Sequence, residues 1–441
     1  MLLEFRTENY KSFRSEMVFS MEPRPRQTGL DYSVMHEKAG TKEYRGLCSA
    51  VIYGPNASGK TNIISAMDTM KAVVLRGNIR NDTSYSPDAA SSILELVPNC
   101  RAEDTPTSFS IRFIEKGYLI EYSLVLDLGH FMEENHKRKI ISERLLVNSR
   151  EIFSRTDDLS VHLTSDILPM VNRSIKRVYP KTVEIARNSL DDTELFLTNG
   201  FKAIFAQELV NMIVNWFSSR FMVVYRSDAL RIYKSMPDSA ENRVYIDRTL
   251  TEAAREFGIN SNALGYRKNA NDESSVLCSV FDDEKKTVPA ELFESYGTIR
   301  FINEFPLVIN ALVNGGTLVV DEFDASIHPT ALMNIINVFH NDEINVNHAQ
   351  LVFNTHNPVF LDANLFRRDE IKFVEREDET GDSVHYSLAD FKTASGIRKG
   401  ESYMNNYLEG KYGAVSNVDF TSVLRNIVLG NDDNEKGHAS T

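Results

Sequence analysis

The chain has 441 residues, with 42% hydrophobic and 25% charged content, the composition of an ordinary globular protein with room for two or three structural units. Its formal net charge of −13 excludes a surface that coats nucleic acid or anionic membrane everywhere, while a local basic face stays open. The three cysteines, Cys48, Cys100 and Cys278, are far apart and form no CxxC pair, which argues for reduced thiols and against a disulfide framework or a zinc site.

The opening "MLLEFRTENYKSF" and the residues after it alternate, with Leu3 and Phe5, then Met17, Phe19 and Met21, on one parity, and predict strands. This start has no continuous apolar core, and no later stretch reaches the roughly eighteen apolar residues of a membrane helix, so a cytoplasmic protein without a membrane partner is expected. "GLCSAVIYG" (46–54) reads as a short buried strand. It runs into "GPNASGKTN" (54–62), and beyond it Ile63, Met67 and Met70 recur at helical spacing. Gly54, Gly59, Lys60 and Thr61 meet the pattern G-x-x-x-x-G-K-T in the strand, loop and helix context that pattern requires. Such a loop offers backbone N–H groups and the positive end of a helix dipole to a triphosphate. Lys60 is expected to reach the outer phosphates and the Thr61 hydroxyl to ligate Mg²⁺. The candidate nucleotide loop comprises Gly54, Pro55, Asn56, Ala57, Ser58, Gly59, Lys60, Thr61 and Asn62.

From Ser108 to Leu128 the alternation strengthens: Phe109, Ile111 and Phe113, a Lys116-Gly117 turn, then Ile120, Tyr122, Leu124 and Leu126 predict a hairpin in an antiparallel lobe. A mostly helical insertion is expected from about 165 to 220, where "ELVNMIVNWF" (208–217) sets Leu209, Ile213 and Trp216 at helical spacing. The chain then returns to strand and helix. "GGTLVVDEFD" (315–324) and "QLVFNTHNP" (350–358) read as buried strands, and between them Pro329 opens a helix carrying Leu332, Ile335 and Phe339. The end, "GNDDNEKGHAST" (430–441), reads as a disordered tail. No repeat and no sustained heptad pattern is present.

A Mg²⁺-dependent hydrolase also needs a carboxylate for the metal and a group that orients or deprotonates water. At the end of the apolar run in "TLVVDEFD", Asp321 suits the metal shell and Glu322 the general base. His356, at the end of the next strand and thirty-five residues past Asp321, places an imidazole where it would contact the γ-phosphate and the attacking water.

This ordered set of motifs resembles the ABC-type nucleotide-binding domains of the SMC, RecF and OLD group. The resemblance implies ATP as the nucleotide, a D-loop in "DASIHP" (324–329) led by Asp324, and a signature loop in "ESYGTIRF" (294–301) with Ser295 and Gly297 as its small residues. In the group that loop binds the γ-phosphate held by an opposing subunit, so a homodimer or higher homo-oligomer is implied. The signature departs from the common pattern in having Tyr296 between Ser and Gly and Thr298 after it, and the lesser alternative for "ESYGT" by itself is a simple N-cap before a helix at 298–313. Gln207 and Gln350 both fall where the family's glutamine loop does not. By the same resemblance Asn56 lies toward the γ-phosphate, Asn62 helps to start the helix, and Asn9, Lys11 and Ser12 approach the base or ribose. A polar turn between strands is the alternative for the last three.

With "NYKSF" (9–13), "PTSFSIRF" (106–113) and "YLEGKYGAV" (407–415) added, the set is similar to the compact ATPases of bacterial phage-defence systems: the RloA and AbiLi type, the ATPase half of OLD nucleases and the ATPase of PARIS. The implied fold is α/β, an ABC-type P-loop NTPase domain with an antiparallel β lobe and a helical insertion. Its expected divisions are 1–160, 161–225, 226–430 and a tail at 431–441. The implied activity is Mg²⁺-dependent hydrolysis of ATP in a nucleotide-driven switch. No acidic D-x-D cluster follows His356, so the effector, a nuclease or toxin of which a Toprim type is one candidate, is expected on a separate chain. The competing expectation is a RecF- or SMC-like ATPase of DNA maintenance, with DNA as partner and "HKRK" (136–139) and "RSIKR" (173–177) as candidate positive stretches, each of which reads more simply as a solvated helix or turn face at this net charge.

Overall fold

The computed structural model describes residues 1–25, 27, 29–80, 94–102, 105–133, 136–172, 175, 179–225, 244–256, 263–268, 275–281, 286–325, 327–391, 402–416, 419–421 and 424–425. The tail at 431–441 and all of "RSIKR" except Ile175 lie outside them.

A six-stranded sheet sits at the centre in the order Phe221–Val224, Thr317–Val320, Gln350–Asn354, Ser49–Tyr53, Ile371–Arg376, Ser383–Ser387. The first five strands are parallel and the edge strand Ser383–Ser387 is antiparallel. Parallel strands covered on both faces read as continuous apolar runs, and "SAVIY" and "TLVV" are buried at every residue. Alternation then divides their side chains between two cores. Ala50, Ile52, Val319 and Val352 meet Ile63, Met67 and Met70 of the helix Lys60–Arg76 on one side. Val51, Tyr53, Leu318, Val320 and Phe353 meet the helices Tyr296–Asn314 and Pro329–Phe339 on the other.

The helix Lys60–Arg76 shares its core with a seven-stranded antiparallel sheet, ordered Leu159–Val161, Arg150–Arg155, Lys139–Val147, Tyr118–Asp127, Thr107–Glu115, Leu2–Glu8, Met17–Ser20. The expected hairpin is there, with Ile111 opposite Tyr122 and Phe113 opposite Ile120. Its turn takes φ of 50° at Lys116 and 78° at Gly117, the doubly left-handed form that matches the twist of two-residue hairpins. The architecture is therefore α/β, an ABC-type P-loop NTPase fold with an antiparallel lobe and a helical insertion.

The insertion lies on that lobe. Tyr179–Asn188 and Gln207–Asn215 are α-helical, and Leu197–Phe201 and Trp216–Arg220 are wider π turns. The Trp216 ring stacks on Phe113 with centroids 3.8 Å apart. A four-stranded antiparallel sheet, Val244–Ile246, Ala263–Lys268, Ser275–Phe281 and Lys286–Pro289, follows where the pattern had suggested no strands. Its strands are short, and "ALGYRK" mixes glycine and charge among its apolar residues, which dilutes the period-two signal.

One carboxylate pins the insertion to the lobe. Glu143 is fully buried and accepts hydrogen bonds from the backbone N–H groups of Phe196 (2.6 Å) and Leu197 (2.8 Å) and from the Tyr122 hydroxyl (2.8 Å). Burial raises its pKa, and those donors, with Arg155, pull it back. Glu143→Ala leaves two buried N–H groups without an acceptor, and equilibrium denaturation is expected to show a loss of about 3–5 kcal/mol. An unchanged midpoint would mean that the aromatic packing and the other ties of the insertion, among them Arg155 to the carbonyls of Asp191 and Glu194, hold it without Glu143.

Candidate nucleotide-binding site

Three neighbouring parallel strands, Thr317–Val320, Gln350–Asn354 and Ser49–Tyr53, end on one side of the sheet. Their following segments therefore emerge together at the carboxyl edge, where open α/β sheets gather ligands. The segments are those of Asp321 and Glu322, of His356, and of the 54–59 loop.

The loop depends on its glycines. Gly59 has φ 111° and caps the helix Lys60–Arg76 with no side-chain hydrogen bond. A Cβ there would lie 2.4 Å from Ser383 Oγ and 2.7 Å from Ser12 Oγ, and one at Gly54 would lie 2.1 Å from the Val374 carbonyl oxygen. Ser383 donates to the Ser58 carbonyl (2.5 Å) and Asn62 Nδ2 to Ser12 Oγ (2.7 Å), so both serines buttress the loop. Pro55 is half-buried and Asn56 and Ala57 are exposed. Beside Pro55 and Ser58 a cleft of about 960 Å³ opens, walled by Glu375, Glu379 and Val415.

Lys60 is buried and folds back on its own loop, donating to the carbonyls of Gly54 (2.9 Å) and Pro55 (2.8 Å). Desolvation lowers its pKa to about 8 against the pull of Asp321 and Glu322. The Thr61 hydroxyl donates to Asp321 Oδ1 at 3.1 Å, and Asn354 Nδ2 donates to the same oxygen at 2.5 Å. Burial raises the Asp321 pKa, while Asn354 and Thr61 oppose the shift. Asn354 Oδ1 in turn accepts the Glu322 backbone N–H.

Glu322 has φ 52°, and its side chain is exposed. Asp324 takes a hydrogen bond from the Thr355 side chain and has a pKa raised by burial. Desolvation and the Lys60 charge lower the pKa of His356, which keeps the imidazole neutral near pH 7. Ser295 caps the helix Tyr296–Asn314, accepting from Thr298 N–H at 3.2 Å, and Gly297 is buried in the first turn. Among the described residues no hydrogen bond joins Ser295 or Gly297 to the 54–62 loop of this chain.

Thus the fold brings Lys60, Thr61, Asp321, Glu322 and Asp324 with His356 to one edge and leaves Ser295 and Gly297 in a cap of their own. Asn9 and Lys11 are spent on the fold: Asn9 Oδ1 accepts from Asn99 N–H (2.8 Å), and the Lys11 ammonium pairs with Glu95. Gln350 is a structural residue, bonded to the backbone of Leu2 and Leu47. Sequence reasoning missed Asn354, Arg300 and Ser383. Asn354 sits within the quoted "NTHNP", but only the strand order reveals that it faces Asp321.

A family model, "AAA domain, putative AbiEii toxin, Type IV TA system", matches residues 49–362, from the start of the loop strand to beyond His356. A solved structure, the "SmcHead bound to the C-winged helix domain of ScpA", is similar over 88% of this chain and 99% of its own, at 13% identity and a TM-score of 0.37. No curated protein matches the chain. Among the described residues no helix is long and apolar enough to cross a membrane.

Gly59→Ala tests the cradle. Left-handed backbone strains an L side chain by about 1–2 kcal/mol, and the Ser383 contact adds to it. Affinity for a fluorescent ATP analogue is expected to fall roughly tenfold or more, and an unchanged affinity would separate this loop from nucleotide binding.

Proposed function

The chain belongs to this AAA-domain family, and on that premise we propose that it is a Mg²⁺-dependent ATPase acting as a nucleotide-driven oligomeric switch in bacterial antiphage defence, where it controls a separate nuclease or toxin. The observation that carries the catalytic part is the meeting of Thr61 and Asp321, 3.1 Å apart, beside Lys60 and Glu322.

Thr61 and Asp321 are hard oxygen donors of the kind Mg²⁺ takes, and they fit that ion. Thr61 and Asp321 would hold the ion, which would supply positive charge against that developing on the transferred phosphate. The 54–59 loop holds the phosphates, and Lys60 releases the Gly54 and Pro55 carbonyls to reach them. The exposed Glu322 carboxylate accepts a proton from the attacking water, and neutral His356 orients that water against the γ-phosphate.

The switch reading draws on the resemblance of "ESYGT" to a signature loop that serves a partner subunit. Two observations support it: Ser295 is exposed at a helix N-terminus, and Leu292, Phe293 and Tyr296 around it are 80%, 52% and 55% exposed. These apolar groups suit a covered surface better than a free one. The defence role is supported by the toxin and antitoxin vocabulary of the matched family. The DNA-maintenance reading has less behind it, because in "HKRK" His136 faces Asp127 at 2.7 Å and Glu133 at 3.6 Å.

The assembly test compares Glu322→Gln with Lys60→Ala in ATP and Mg²⁺, by light-scattering mass with and without duplex DNA. Glu322→Gln is expected to assemble with nucleotide, Lys60→Ala to remain unassembled, and both to ignore DNA. Equal mass distributions would sink the switch, and assembly only with DNA would favour the maintenance reading. Asn354→Leu strips Asp321 of its orienting partner, so the Mg²⁺ concentration for half-maximal hydrolysis is expected to rise about 10- to 100-fold. An unshifted Mg²⁺ titration would remove Asn354 from the site.

A further inference from the structure

The helix that Ser295 opens is tied to the acidic pair by one side chain. Arg300 lies five residues along it and is 6% exposed. Its Nη2 donates to the backbone carbonyl of Glu322 and lies 3.4 Å from that of Asp321, while its Nε donates to Glu304 Oε1 at 3.0 Å. The N–H of Glu322 is held by Asn354, so the residue is gripped at both of its backbone polar groups, from two different elements.

Glu322 needs that grip. Its φ of 52° is one that a residue with a long side chain keeps only where the surroundings over-determine it. The side chain is exposed, so its direction is set by the backbone, by these two clamps and by the Ala325 N–H, which also donates to the Glu322 carbonyl at 3.0 Å, rather than by packing of the carboxylate.

The Arg300–Glu304 pair is poorly explained as a stabilising device. A buried ion pair is on average no better than an apolar pair of equal volume. Here, among the described residues, Glu304 Oε2 is buried without a hydrogen bond, and burial pushes the Glu304 carboxyl up to about 8. What the pair does supply is a fixed fork aimed at the carbonyls of Asp321 and Glu322.

We propose that Arg300 is a positioning residue that sets the orientation of Glu322 and links it to the helix N-terminus at Ser295, so that a group docking at Ser295 and Gly297 alters hydrolysis at this chain's own loop. The proposal rests on the reading of Glu322 as the general base. It adds a path inside one chain between the surface that would meet a partner and the residue that acts on water.

The experiment uses the full chain with two variants, the double substitution Arg300→Met with Glu304→Met, and Arg300→Lys. Methionine replaces both charges with an unbranched apolar chain, close to glutamate in length and shorter than arginine, and lysine keeps the charge but loses the fork. Thermal midpoint and affinity for a fluorescent ATP analogue are expected to stay near wild type. Both variants are expected to show kcat reduced about 10- to 100-fold, the double variant more than Arg300→Lys, with little change in KM. Introduced into Glu322→Gln, the double substitution is expected to change the residual single-turnover rate by less than about twofold, because the group it orients is already gone.

Wild-type kcat in the folded variants would overturn the proposal, as would an equal fall in kcat with and without Glu322. If the double variant loses its fold, Arg300→Lys decides by the same criteria. A wild-type protein lacking any Glu322-dependent hydrolysis would overturn both this proposal and the ATPase reading, whereas an active wild type indifferent to Arg300 would overturn this proposal alone.

Discussion

One oxygen atom, Oδ1 of Asp321, joins the chain at three distant places: it accepts from Thr61 at the start of the loop helix and from Asn354 at the end of the neighbouring strand. The arrangement exists because parallel strands deliver their carboxyl ends to the same side, so segments hundreds of residues apart emerge side by side. It also explains why the strands themselves are so apolar. They must be fixed from both faces before a charged edge can be held in register, and burial alone would otherwise drive the Asp321 carboxyl toward its neutral form.

The two cores serve this edge differently. The helix Lys60–Arg76 lies between the central sheet and the antiparallel lobe, so the lobe and its helical insertion fix the direction in which the loop presents its N–H groups. From the other end of the chain, Ile371–Arg376 and Ser383–Ser387 close over the loop, with the Val374 carbonyl against Gly54 and the Ser383 hydroxyl against Gly59. The glycines are therefore required by contacts with a hairpin some 320 residues away as well as by the backbone angle at Gly59. The C-terminal helix Tyr403–Leu408 completes the support, packing Tyr407 against Tyr53 of the loop strand.

What was legible in the sequence was local. The glycine-lysine-threonine spacing, the carboxylates at the end of "TLVV" and the histidine after "LVFNT" each announce themselves within ten residues, and the hairpin at Lys116-Gly117 does so by alternation and turn chemistry. What was not legible depends on which strands become neighbours. Asn354 looks like one polar residue in a strand end until its strand is set beside that of Asp321. Ser383, and the reach of Arg300 beyond its i,i+4 partner Glu304, carry no pattern, because the partners there are backbone atoms brought near by the fold. "ESYGT" stayed ambiguous for another reason: a helix cap and a ligand-binding loop use the same serine and the same N-terminal N–H groups, and the cap that Ser295 makes fits either reading.

Three groups at this edge are costly to hold in place. Lys60 is a buried ammonium satisfied by two carbonyls of its own loop, with a pKa lowered to about 8 by desolvation. Asp321 is a buried acid held by two neutral donors, and Glu322 keeps a left-handed backbone under two clamps. A polyanion with its cation would supply counter-charge to both Lys60 and Asp321 and so favour the charged form of each. Arg300 joins this edge to the helix behind Ser295 through the Glu322 carbonyl, so the acidic pair and the outer end of that helix share a backbone contact at Glu322.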